Sequence, residues 1–142
     1  MAVRAVVIQA TILAAFAAVA CGMDGPATAR AELAVKTGQW GGQHIVMTVA
    51  AERTDIEFDC AKASIAGAID TDRDGAFSVT GTFQPERPGP TGRDEPPSRP
   101  MRLSGTVKGN DMQVRVFLTD QNEDAGTFTL AFGAAPRLIK CR

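Results

Sequence analysis

The chain has 142 residues, a formal net charge of −1, three Cys, one Trp, one His and no Tyr. That length holds one domain, not two. The near-neutral balance excludes the strongly basic face of a nucleic-acid binder, and a single His leaves few groups for acid–base work.

Residues 1–31 read as a leader. Arg4 precedes the uncharged run Ala5 to Ala20. A membrane span needs roughly 20 apolar residues, so this shorter run predicts a secretory signal segment. Two processing routes follow. Ala18-Val19-Ala20-Cys21-Gly22 resembles a bacterial lipobox, in which Cys21 is lipidated. Ala29-Arg30-Ala31 is an A-x-A site that gives a mature start at Glu32. Either route exports the domain 32–142 to the periplasm, the medium or a lipid anchor on the envelope. Cys21 is then its one means of membrane attachment.

The mature chain alternates apolar and polar residues with period two, the signature of half-buried strands. Strands are expected near 32–37, 43–51, 54–60, 63–69, 75–84, 101–108, 111–119, 125–132 and 136–141. Ala-rich 60–68 could instead form a short helical turn. Lys108-Gly109-Asn110-Asp111 reads as a tight hairpin. Eight or nine short antiparallel strands predict an all-β up-and-down meander barrel, which leaves no free edge. A two-sheet sandwich is the alternative. Six of the eight prolines lie in 85–100. Proline lacks the donor a sheet ladder needs, so this stretch reads as a loop, either a flap or a solvated excursion.

Several clusters carry potential chemistry. Trp40 and His44 flank Gly41-Gly42. They read as a small-ligand site, with Trp40 as a stacking plate and His44 as a hydrogen-bond partner. The bland reading is a core Trp and a surface His. Ile45, Met47 and Val49 share one face, which puts His44 on the other. Asp55, Glu57 and Asp59 form a row on one strand face. They are either a solvated face or, with His44, the acid–base groups of a small hydrolase. Cys60 and Cys141 form an even pair and predict one disulfide in an oxidising compartment. Asp70, Asp72 and Asp74, followed by Gly75, match the opening of a calcium loop. The bidentate Glu of that pattern is replaced by Gly81, and the plain reading is a hairpin turn. Asp120 to Gly126 is a second acidic turn of the same kind.

Gly-x-Trp-Gly-Gly-x-His-Ile at 38–45, Ile56-Glu57-Phe58-Asp59-Cys60-Ala61 and the final Lys140-Cys141 resemble a group of small secreted or lipid-anchored bacterial proteins of unknown function. The Gly-x-Trp opening on a small meander also resembles the calycins, the avidin and lipocalin group, which implies a ligand inside the barrel. No complete catalytic motif is present. The expectation is a non-catalytic envelope protein that binds a small molecule or a partner protein. A calcium-stabilised interaction domain and a small hydrolase are the alternatives. The barrel interior decides between a bound ligand and action through the surface, foremost the 85–100 loop. Phe58, Phe77, Phe83, Phe128 and Phe132 either fill it or leave a pocket beneath Trp40.

Overall fold

The computed structural model describes residues 33–89 and 95–141. The leader with Cys21, and the centre of the Pro-rich loop, lie outside the described residues. Eight strands form a closed antiparallel barrel in sequence order. They are β1 (Gly38–Gly42), β2 (Ile45–Val49), β3 (Arg53–Phe58), β4 (Ala61–Ala66), β5 (Ala76–Pro85), β6 (Arg99–Lys108), β7 (Asp111–Leu118) and β8 (Glu123–Phe132). The two-sheet sandwich is not formed, because β1 pairs with both β2 and β8 and closes the sheet on itself.

Period-two patterning explains the wall. In β3, Thr54, Ile56 and Phe58 are buried while Arg53, Asp55 and Glu57 are exposed. In β7, Met112, Val114, Val116 and Leu118 point inward. Phe117 breaks the polar outer face and lies under the Arg102 guanidinium, 5.8 Å from the ring centroid. Opposite it the β7–β8 register slips, from Val116↔Gly126 to Phe117↔Asp124. The slip leaves Ala125 as the extra residue of a bulge.

Two of the nine expected strands are not strands. Within 32–37, Ala34 makes only an isolated bridge to Asp70, and Val35 N–H donates to Ile69 O at 2.9 Å. Within 136–141, Arg137 makes only a parallel bridge to Gln43. With β1 paired on both sides, no sheet edge remains for a ninth strand. The tail instead lies flat on the outer side of β1. Gly41 makes this possible, since a Cβ there would collide with the backbone of Ala134 and Pro136. The expected helical alternative at 60–68 is strand β4. The Pro-rich loop is shorter than 85–100, because Pro85 ends β5 while Arg99 and Pro100 open β6.

The two barrel ends differ. One is plugged by Val35 and Ile69, both buried, from the segments beside β1 and β4. Trp40 is fully buried there, donates Nε1–H to Lys36 O at 3.0 Å and meets Phe132 edge-on at 5.1 Å. Lys36 lies over Phe132 and donates to Asn110 Oδ1 at 2.8 Å. The other end carries the 43–44, 59–60 and 119–122 turns and the Pro-rich loop, and it is open.

Cys60 and Cys141 are bonded, with Cα atoms 5.3 Å apart across 81 positions. The link ties the tail to the β3–β4 turn. Chain entropy for that loop sets a stabilisation of about 4.5 kcal/mol as the upper end. The double variant Cys60→Ser/Cys141→Ser is therefore expected to lose stability by that amount or less in urea unfolding, with its strand content by circular dichroism retained. A second test concerns Thr54. It is the one buried polar side chain among the described residues, and its hydroxyl has no hydrogen-bond partner there. Val49 and Ile65 stand opposite it on β2 and β4. Thr54→Val removes the unpaired hydroxyl at nearly constant shape and is expected to stabilise by about 1 kcal/mol. A lower urea midpoint for this variant would contradict the assignment.

Candidate functional site

The open end is shaped by unequal strand lengths. β1 has five residues and β8 has ten, and they pair only through Trp40↔Phe132, Gly41↔Ala131 and Gly42↔Leu130. The start of β8 therefore runs past β1 with no partner on that side. A cavity of about 280 Å³ opens in the gap, lined by His44, Phe58, Asp59, Cys60, Ala61, Phe83, Val116, Ala125 and Phe128. Phe58 stands at its centre, with ring centroids 5.8 Å from Phe83 and 5.3 Å from Phe128. The pocket expected beneath Trp40 is thus at the opposite end of the barrel from Trp40.

His44 and Asp59 form the polar rim. His44 occupies the β1–β2 turn with φ of 65°, a left-handed conformation uncommon outside glycine. The tail holds it there. His44 N–H donates to Arg137 O at 2.9 Å, and Arg137 N–H donates to Gly42 O at 3.0 Å. Asp59 follows the last residue of β3. Its Oδ2 lies 2.5 Å from His44 Nδ1, and its Oδ1 accepts the Ile139 N–H at 2.7 Å. The tail also donates Cys141 N–H to Asp59 O at 3.2 Å and the Lys140 ammonium to Phe58 O at 3.1 Å. The Ile139 N–H, then the His44 side chain and the charges of His44 and Lys140, hold the Asp59 carboxyl below its ordinary value of 3.8 against partial desolvation.

The other candidate residues are placed as follows. Trp40 is a core anchor and does not line the cavity, so Trp40 and His44 are not brought together. The acid row divides. Asp55 pairs with Arg53 at 2.6 Å on the outer face, and Glu57 lies 3.4 Å from Lys140. The strand ends at Phe58, so Asp59 leaves the row and turns to His44. Asp70, Asp72 and Asp74 sit in a turn at the plugged end. Asp72 Oδ1 there accepts the N–H groups of Asp74 at 2.9 Å and Ala76 at 2.8 Å. Among the described residues no three His, Cys, Asp or Glu side chains are grouped to hold a metal ion. In the second acidic turn, Asp120 and Glu123 pair with Arg99, and Asp124 pairs with Arg115. The described base of the Pro-rich loop is pinned to the wall. Gln84 Nε2 donates to Pro96 O, and Ser98 Oγ donates to Gln84 Oε1 at 2.5 Å.

No family model, curated protein or solved structure matches the chain. The eight-strand antiparallel barrel is consistent with a calycin-like fold.

Asp59 generates a pH prediction. Because its folded-state value is depressed, its contribution is complete above the ordinary carboxyl value of 3.8 and is lost as pH falls through the lower folded value. The gap in melting temperature between wild type and Asp59→Asn is thus expected to be widest near neutrality and to close in that acid window. A gap that persists unchanged at pH 2 would contradict the depressed Asp59 carboxyl.

Proposed function

We propose that this domain is a non-catalytic exported protein that holds a small, mostly apolar molecule in the open end of its barrel. The observation that carries the reading is the composition of the cavity wall. Three phenylalanine rings and three small aliphatic side chains face a single polar pair, His44 and Asp59. Binding cavities commonly combine an apolar lining with a few convergent polar groups. At about 280 Å³ the space suits a guest of two or three aromatic rings, just below the roughly 300–1,000 Å³ of drug-sized sites. Among the described residues the wall offers no hydroxyl, and its one cysteine is tied in a disulfide, so no serine-, threonine- or cysteine-type nucleophile faces a guest. Export is supported by the leader composition and by the disulfide, which persists in oxidising compartments. The likeness to small secreted or lipid-anchored bacterial proteins fits the same reading.

The test is titration with N-phenyl-1-naphthylamine, whose fluorescence rises in apolar surroundings. Wild type is expected to bind it saturably. Ala125→Trp, which places an indole in the cavity from the bulge, is expected to weaken binding at least about tenfold, which corresponds to about 1.4 kcal/mol, with the melting transition retained. No saturable binding by wild type, or equal binding by a folded Ala125→Trp variant, would overturn the proposal.

A further inference from the structure

We infer that the guest is held by donating a hydroxyl or N–H hydrogen to Nε2 of His44, so that the cavity selects neutral alcohols and phenols over the matching ethers and carboxylates. This deepens the binding-cavity reading and rests on it.

The argument is one of donors and acceptors. Asp59 Oδ2 lies 2.5 Å from His44 Nδ1, and Asp59 Oδ1 already accepts the Ile139 N–H. An ionised carboxylate can only accept, so the hydrogen between the two side chains belongs to Nδ1. The depressed Asp59 carboxyl agrees with that ionised state. A neutral imidazole with its hydrogen on Nδ1 presents a bare lone pair at Nε2. Nδ1 is committed to Asp59, so Nε2 is the ring nitrogen left for a guest. Nε2 has no side-chain or backbone partner among the described residues.

The surroundings reinforce the choice. Asp59 is the one Asp, Glu, Lys or Arg among the described residues of the cavity wall, and its carboxylate repels an anionic guest. Lys140, whose charge acts on Asp59, is turned to Phe58 O, Glu57 and Glu86 and does not line the cavity. An ether of the same shape fills the rings equally well and leaves Nε2 without a hydrogen, at the cost of an unmade bond in a partly desolvated place.

The experiment compares 1-naphthol, 1-methoxynaphthalene and 1-naphthoate as competitors of bound N-phenyl-1-naphthylamine at pH 8. Wild type is expected to prefer the naphthol over its methyl ether by about tenfold, one hydrogen bond's worth, and to bind the naphthoate weakest. His44→Asn keeps a residue that tolerates positive φ at this turn. It is expected to bring the naphthol and ether to equal affinity while the dye still binds. Equal wild-type affinities for naphthol and ether, or a preference for the naphthoate, would overturn the head-group assignment and leave the cavity reading standing. A dye that fails to bind at all would overturn both.

Discussion

The three-pair seam between β1 and β8 is the constraint from which the rest of the molecule follows. Closing the sheet removes both edges and so specifies a barrel. Doing so over only Gly42↔Leu130 to Trp40↔Phe132 places the whole join near one end. There the two largest rings of the seam meet at 5.1 Å, and the end is sealed. Where β1 has already turned, β8 still has most of its length to run. The wall is thin there, and the phenylalanines of β3, β5 and β8 border a space instead of a packed layer. Interior packing elsewhere follows ordinary close-packing. The opening is a consequence of strand length, not of missing bulk.

The tail is the second half of that arrangement. A five-residue β1 with glycines at 41 and 42 is a weak stave by propensity, since glycine costs strand stability. The same glycines let the chain after β8 lie directly on it. That returning segment meets both rim residues. It fixes the backbone of His44 through Arg137, fixes the carboxylate of Asp59 through Ile139, and is locked at its end by the Cys60–Cys141 bond. A residue at φ of 65° and a carboxylate on a turn are both mobile by default. Here each is held by a backbone hydrogen bond from outside its own turn. The rim is therefore preorganised, which in the proposed role reduces the ordering cost of binding a guest.

Most of the wall was legible in the residues. The runs near 75–84, 101–108, 111–119 and 125–132 alternate cleanly because one face is buried and the other is wet. The ends were not. The 32–37 and 136–141 segments were also expected as strands, but local sequence does not reveal whether a sheet edge is left to receive them. The true first strand, Gly38–Gly42, was not among the expected strands because glycine is a poor strand former by propensity, and here Gly41 and Gly42 serve close backbone approach. The rim pair was legible only in part. His44 and Asp59 lie 15 positions apart, and the sequence joined His44 to the whole acid row in the hydrolase alternative without singling out Asp59. The signal was present in the hairpin. Ile45 pairs with Phe58, and the next step of the same antiparallel register places His44 opposite Asp59. A one-residue difference in where β3 ends decides whether Asp59 belongs to the exposed acid row or to the cavity.

That step also explains why the chemistry sits where it does. A carboxylate on the outer face, like Asp55 or Glu57, meets water and a mobile cation, and such pairs contribute little. One residue further on, the strand has ended and the chain bends over the mouth, so the carboxylate meets an imidazole and a fixed N–H instead. The His44 side chain is 42% exposed and Asp59 24%, intermediate values that keep the pair ionisable yet shield one side of it with phenylalanine. Fully buried, the pair would carry a heavy desolvation penalty. Fully exposed, it would have no orientation to impose. At the lip of an apolar cavity, a single oriented acceptor can discriminate between guests whose bodies fit equally well, because in the inferred binding mode the part of each guest that differs is the part that meets Nε2.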